Sequence, residues 1–148
     1  MKTISTLTNN DVNEAYQIEL LCHPIPWSKE TFATNQGERY LNKKITLKQH
    51  LVGFLICQVV LDEATLFNIA IHPDAQKQGL ASALLTQLIT ELEDKNIRTL
   101  WLEVRASNRA AIALYLHMGF NEITIRKNYY PTAQGREDAI IMAYTILL

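Results

Sequence analysis

ATLFNIAIHPDAQKQGLASALLTQLITEL, residues 64–92, decides the fold, because it carries an apolar strand pattern into a helical one through a turn built on Gly79. The run Leu66-Phe67-Asn68-Ile69-Ala70-Ile71 has the bulk and β-branching of a strand, and His72-Pro73-Asp74 ends it. From Leu80 the period changes: Leu80, Leu84, Leu88 and Leu92, flanked by Ala81, Leu85 and Ile89, form one apolar helical face. Between strand and helix lies Gln76-Lys77-Gln78-Gly79-Leu80-Ala81. Residues that open a helix have backbone N–H groups without intrahelical partners, and a glycine lets a ligand approach that backbone closely. Such an end attracts phosphate. The same six residues also read as an ordinary helix start whose glycine eases the turn, so the rest of the chain has to decide.

With 148 residues, 48% of them hydrophobic and spread along the length, the chain fits one domain, 1–148, with a sizeable core. Fourteen basic residues face fifteen acidic ones, which leaves no general electrostatic footprint for nucleic acid or an anionic membrane. Cys22 and Cys57 lack a Cys-x-x-Cys partner, and His23, His50, His72 and His117 lack the short spacings of a zinc site, so free thiols and no metal are expected. Cys57, in an apolar strand, reads as a small core residue. The opening Met1-Lys2-Thr3-Ile4-Ser5 has no apolar signal-peptide region, and no apolar run reaches transmembrane length. A cytoplasmic monomer is expected.

Residues 3–8 alternate as a short strand, and Asn9-Asn10-Asp11 offers caps for a helix to about Cys22 with Ala15, Ile18, Leu21 and Cys22 as its apolar stripe. Two prolines hold His23-Pro24-Ile25-Pro26-Trp27 extended, and Ser28 caps a short helix through Phe32. Trp27 reads first as a lid over the core and second as a substrate contact. Residues 40–47, 51–60 and 64–71 read as an antiparallel meander with tight connections at 48–50 and 61–63. After the Leu80 helix a strand at 98–104 follows, and the strand-helix-strand order implies a right-handed crossover that sets 66–71 and 100–104 parallel. Asn108 caps a further helix that Gly119 ends, and 120–128 with 138–146 close the sheet as a hairpin around 131–135. The architecture is α/β: a mixed, mostly antiparallel sheet with a central parallel strand pair and helices on both faces. Ligands of open sheets favour the C-terminal edge of parallel strands.

Along residues 99–104, Leu100, Leu102 and Val104 share one face while Trp101 and Glu103 share the other, so Glu103 emerges beside that edge. Most strand glutamates are merely solvated. This one sits next to an inferred anion site. Asn108 and Tyr115 are seven residues apart on one helix and so point the same way, toward the crevice.

The turn, Gln-x-x-Gly-x-Ala, resembles the acyl-CoA pyrophosphate loop of the GCN5-related N-acetyltransferases, in which Ala81 stands where glycine is frequent. Leu102-Glu103-Val104-Arg105-Ala106-Ser107-Asn108, then Ala113-Leu114-Tyr115 and Gly119-Phe120, resemble the second half of the acetyl-CoA site in the bacterial RimI type. Those enzymes modify the N-terminal alanine of a small-subunit ribosomal protein, number eighteen. Asn128-Tyr129-Tyr130-Pro131 with Gly135-Arg136-Glu137-Asp138-Ala139 is similar to that subfamily's C-terminal segment, and Pro26-Trp27-Ser28 to its substrate-side loop. The resemblance covers essentially the whole chain. It implies backbone pairing of Ile69, Ala70 and Ile71 with the pantetheine arm of acetyl-CoA, and enclosure of the pyrophosphate by Lys77, Gln78, Gly79, Leu80, Ala81 and Ser82. It further implies a cofactor contact from Asn108, Glu103 as general base and Tyr115 as general acid. The implied partner is a ribosomal-protein N-terminus, whose basic tail would meet local acids such as Glu38, Glu63 or Asp138.

The reaction implied is attack of a neutral amine on the thioester. An α-amino group with pKa near 7.8 is partly neutral at cytoplasmic pH, whereas passing its proton to an unperturbed glutamate is uphill by about 4.8 kcal/mol. Glu103 must therefore be desolvated or act through water. An unperturbed tyrosine gives a proton to a thiolate at a cost of about 2 kcal/mol. No side-chain nucleophile is needed, so direct transfer without a covalent enzyme intermediate is expected. A dinucleotide-dependent oxidoreductase lacks its Gly-x-Gly-x-x-Gly here, and Gly79-Leu80-Ala81-Ser82 has no P-loop lysine. A lysine side chain, a polyamine or another small amine would equally suit the deduced site, and so would acyl-CoA binding without turnover.

Overall fold

The computed structural model describes residues 1–147. The elements follow one another as β1 (Lys2–Thr6), α1 (Val12–Cys22), α2 (Lys29–Thr34), β2 (Lys43–Leu47), β3 (His50–Val60), β4 (Glu63–Ile71), α3 (Leu80–Asp94), β5 (Thr99–Arg105), α4 (Arg109–Met118), β6 (Asn121–Thr132) and β7 (Gly135–Thr145). The seven strands make one sheet in the order β1-β2-β3-β4-β5-β7-β6. Among the described residues β4–β5 is the one parallel pair, as the crossover through α3 requires. No helix among them is long and apolar enough to cross a membrane.

Two apolar layers flank the sheet. On one face Leu84, Leu85, Leu88 and Leu92 of α3 meet Leu100, Leu102 and Phe120. On the other, α1 and α2 bring Ala15, Ile18 and Phe32 onto Phe54 and Ile56. Phe32 is fully buried there, with its ring 5.1 Å from that of Phe54 and edge-on to it. Local chemistry sets the ends: the Ser28 hydroxyl accepts the Thr31 N–H at 3.1 Å to start α2, and Gly119, at φ 108°, ends α4. The β2–β3 connection is a two-residue turn at Lys48 and Gln49, whose φ values of 49° and 71° match the twist of a tight hairpin.

Three expectations need correction. β2 begins at Lys43 rather than at residue 40, because the Asn42 side chain takes the place of ladder bonds: its Oδ1 accepts the Cys57 N–H at 3.0 Å and its amide donates to Asn35. The inward stripe of α1 is Val12, Ala15, Ile18 and Glu19, while Leu21 is 58% exposed. A carboxylate occupies what should be an apolar position. The closing hairpin runs far longer than 128 and 138, since β6 and β7 reach Thr132 and Gly135 and leave only Ala133 and Gln134 as the turn.

Lys43, buried to 6% exposure, donates from Nζ to Glu91 of α3 at 2.6 Å and so ties β2 to the helix. Burial opposes ionisation of Glu91, yet hydrogen bonds from Lys43 and Gln87 outweigh it and hold the carboxyl below its ordinary 4.5. A depressed carboxylate contributes stability that is present above the unfolded-state value and fades as pH falls through the folded one. Glu91→Gln should therefore lower unfolding free energy by about 2 kcal/mol at pH 7. In denaturant titrations the gap to the parent chain should narrow steadily below pH 4.5. At Gly53, a Cβ would meet Ile71 Cδ1 at 2.5 Å and the Ala70 carbonyl at 3.0 Å. Gly53→Ala should cost about 2 kcal/mol in the same assay, because backbone has to move.

Candidate active site

The site begins where the parallel pair stops. β4 and β5 pair from Glu63–Thr99 to Leu66–Leu102 and no further. Beyond that, β4 follows β3 as far as Ile71, with Phe67 bulged out between the Leu66–Cys57 and Asn68–Ile56 pairs. β5 meanwhile follows β7 through Arg105. The strands part, and the edge of β4 from Phe67 onward loses its neighbour on that side. A cavity of about 460 Å³ fills the gap.

Leu100, Leu102 and Val104 of β5 are buried on the α3–α4 face, so Glu103 points to the α1–α2 face. Tyr115 rises from α4 on the opposite face, its ring 5.5 Å from Phe120. Glu103 and Tyr115 thus reach one cavity from its two sides, and Ile69 and Asn108 also line it. Asn108 Oδ1 accepts the Ala111 N–H at 3.2 Å and starts α4. Ala70 and Ile71 continue β4 past the cavity wall, and the Ile71 carbonyl already receives the Gln76 amide at 2.9 Å and the Cys22 thiol at 3.1 Å.

Lys77, Gln78, Gly79, Leu80, Ala81 and Ser82 stand apart from the cavity, at the start of α3. Lys77 and Gly79 both adopt left-handed backbone, with φ of 64° and 79°. No side chain caps this helix, and its first bond runs from the Ala83 N–H to the Gly79 carbonyl at 3.1 Å. The amides of Leu80, Ala81 and Ser82 are left without acceptors among the described residues, which is the electrostatics of an anion cradle. No group of three or more His, Cys, Asp or Glu there could hold a metal ion.

Burial pushes the Tyr115 hydroxyl well above the ordinary phenol range, and the neighbouring Tyr130 adds to the effect. It stays protonated at any physiological pH, and its proton is harder to remove than the unperturbed value implies. Tyr130 is itself pushed up to about 12 by burial and then by the charge of Glu103. The Glu103 side chain is 31% exposed and has Arg126 Nη1 3.8 Å away, so it is reached by water rather than sealed from it. Cys57 is a sealed core thiol, raised to about 12 by burial.

Several lining residues escaped the sequence. Glu19, His23 and Asn68 form a connected polar group on the α1 side, and Tyr130 enters from β6. The signal was present: Glu19 continues the Ala15-Ile18 spacing of a buried face, where an acid is out of place. The Trp27 ring packs edge-on 6.1 Å from Phe32 over the core, and the residue also lines the cavity. None of the three acids named for a basic tail lines the cavity. Glu63 receives the Trp101 indole N–H at 2.6 Å at the far end of β4, Asp138 accepts the Asn128 N–H at 2.9 Å, and Glu38 lies outside the cavity lining. Glu103 and Glu19 are the acids that line the cavity.

Glu19, 1% exposed, accepts the Trp27 N–H at 2.9 Å and the Asn68 amide at 2.8 Å, and so holds the Pro24–Pro26 loop to β4. Glu19→Ala should lower stability by about 3 kcal/mol, read by thermal melts. Trp27 fluorescence should shift toward that of a solvated indole at the same time.

Residues 12–120 match the Acetyltransferase (GNAT) family. Over 146 residues the chain is 64% identical to the [ribosomal protein bS18]-alanine N-acetyltransferase of Escherichia coli strain K12, with 99% of each chain covered. The crystal structure of the ribosomal-protein-S18-alanine N-acetyltransferase from Escherichia coli superposes with a TM-score of 0.97 at 63% identity, covering 100% of this chain and 96% of the other. Arabidopsis thaliana NAA60 in complex with acetyl-CoA shares the fold, at a TM-score of 0.88 and 19% identity, with 99% of each chain covered. With the parted strands, the uncapped helix start and the full-length match in agreement, the chain belongs to the GNAT family of acetyltransferases.

Proposed function

We infer that this chain is an acetyl-CoA-dependent N-acetyltransferase that acetylates the N-terminal alanine of ribosomal protein bS18. The observation that carries the reading is identity over essentially the whole chain to an enzyme of that name, with the strand parting and its cavity intact. Acetyl-CoA is a substrate here, and the protein's part is to bind, orient and move protons. Residues 1–148 would act as one catalytic domain, in the cytoplasm where ribosomal proteins are made.

The amides of Leu80, Ala81 and Ser82, with Lys77, Gln78 and Gly79 around them, would hold the pyrophosphate. Ile69, Ala70 and Ile71 would guide the pantetheine arm along the unpaired edge of β4, as an added strand would lie. Asn108 would steady the thioester end from the start of α4. That places the acetyl carbon in the gap, between Glu103 on one side and Tyr115 on the other. The peptide amine enters from the α1–α2 side, past Pro24, Ile25 and Trp27.

At its exposure, Glu103 would take the proton that the nitrogen sheds on acylation through a water rather than by direct contact. The neutral amine nitrogen forms its bond to the acetyl carbon, the carbon–sulfur bond breaks, and the departing thiolate takes a proton from the Tyr115 hydroxyl. Burial makes that proton costly to remove before charge develops on sulfur, so the Tyr115 hydroxyl would first act as a fixed hydrogen-bond donor and release its proton as the thiolate departs.

Intact-mass analysis after incubation with acetyl-CoA and a peptide bearing the bS18 N-terminus should show a single gain of one acetyl group on the α-amine. A blocked N-terminus should give none. Glu103→Gln and Tyr115→Phe should each lose about 10²-fold or more in kcat/KM while binding acetyl-CoA within about twofold of the parent. Full turnover in both variants would overturn the two roles. An active chain that prefers lysine side chains would overturn the acceptor.

A further inference from the structure

Two protons leave nitrogen when an ammonium becomes an amide, and one of them ends on the coenzyme A sulfur. Glu103 accounts for one acceptor. The polar group opposite it supplies a second.

On the α1 side of the cavity a carboxylate, an amide and an imidazole are linked in series. Asn68 Nδ2 donates to Glu19 Oε1 at 2.8 Å, and Asn68 Oδ1 faces His23 Nε2 at 3.0 Å. Glu19 is anionic and only accepts, so it fixes which end of the Asn68 amide faces it. The carbonyl end must then face His23, and a carbonyl only accepts. Nε2 therefore carries the hydrogen, and in the neutral ring Nδ1 keeps its lone pair. Glu19 Oε1 lies 3.4 Å from the same Nε2, which fixes the ring from a second side. The His23 side chain is 31% exposed, lines the cavity, and makes no hydrogen bond through Nδ1 among the described residues. This is the logic of a base oriented by a buried acid, with an amide inserted between them.

Resting on the acetyltransferase reading above, we propose that His23 is a second catalytic proton acceptor, whose Nδ1 takes the proton of the incoming α-ammonium. The step is R–NH3⁺ plus neutral imidazole giving R–NH2 plus imidazolium, with the proton then passed to solvent. The second proton leaves the nitrogen after it bonds to carbon and goes through water to Glu103. Tyr115 gives its proton to sulfur and is reprotonated from Glu103 through the same water, so one proton is released per turnover. An imidazole lies nearer in basicity to an α-amine than a carboxylate does, which suits it to the first transfer. The titratable and charged groups sharing the cavity with His23 are Glu19 and Cys22 from α1, Glu103 and Arg105 from β5, Tyr115 from α4 and Tyr130 from β6.

The test compares the parent with His23→Gln and His23→Ala on the bS18 N-terminal peptide. Acetyl-CoA affinity and melting temperature should hold, and kcat/KM near pH 7 should fall by about 10²-fold. The acidic limb of the pH profile should move in both variants, and added imidazole should restore part of the rate to His23→Ala. Nitrogen-15 NMR of labelled histidine should find the Nε2–H tautomer in the parent and lose that preference in Asn68→Ala. A parent that acetylates the peptide alongside a His23→Ala variant with unchanged kcat/KM and pH profile would overturn the role of His23 alone. A reduced rate with no imidazole rescue and an unmoved pH profile would reduce it to a structural residue. A parent that binds acetyl-CoA and modifies no peptide would instead defeat the acetyltransferase reading itself.

Discussion

The parting of β4 from β5 after Leu66 and Leu102 is the constraint on which the molecule turns. A strand in mid-sheet normally satisfies both of its edges, and leaving one bare exposes backbone donors and acceptors that water or a ligand must meet. Here the separation is enforced from both sides. The bulge at Phe67 bends β4 toward β3, while the unbroken β5–β7 register, from Thr99–Thr145 to Arg105–Ala139, holds β5 on its own course. The opening is held between the β3–β4 hairpin and the β5–β7 pair. A ligand with an amide-bearing chain therefore meets a preformed slot rather than one it must open, which lowers the ordering penalty of binding.

From this opening the division of labour across the sheet follows. Side chains alternate along a strand, so β5 gives Leu100, Leu102 and Val104 to the α3–α4 layer and Glu103 to the other face. In a closed sheet, groups from opposite faces never meet. Through the gap Tyr115 reaches the same space as Glu103 and His23, so the proposed proton donor would lie behind the sheet and the proposed acceptors in front of it. The separation suits a transfer in which charge leaves on sulfur at one side while protons leave nitrogen at the other.

Much of this was legible in the sequence where one period or one terminus decided the matter. The change from strand to helix spacing around Gly79, the capping Asn108 and the Gly119 stop located the crossover and the edge at which the cavity opens. What stayed hidden depends on contacts distant along the chain. Nothing local to Asn42 announces that its side chain will receive the Cys57 N–H, and so β2 starts later than its β-rich composition implies. The misplaced α1 stripe has the same origin. A helical period with Leu21 inward looks sound until Asn68, forty-nine residues on, offers a hydrogen bond that repays burying Glu19 instead. Nor does the sequence announce that Glu63 will accept the Trp101 indole N–H and Asp138 the Asn128 N–H, each from a residue distant from it along the chain or across a turn.

The buried Glu19 also shows why the substrate-side loop is tied where it is. An isolated carboxylate at 1% exposure would be destabilising by several kcal/mol, and only its partners make the position tolerable. Those partners are the Trp27 N–H, at the end of the proline-stiffened loop, and Asn68, one residue beyond the bulge that starts the strand parting. One charge thus couples the wall past which the acceptor would enter to the strand along which the acetyl donor would lie. Because a half-satisfied buried charge is worse than none, neither contact can be relaxed without straining the other. The two halves of the site are set by a single acid that sits in the middle of a helix face otherwise built from hydrocarbon.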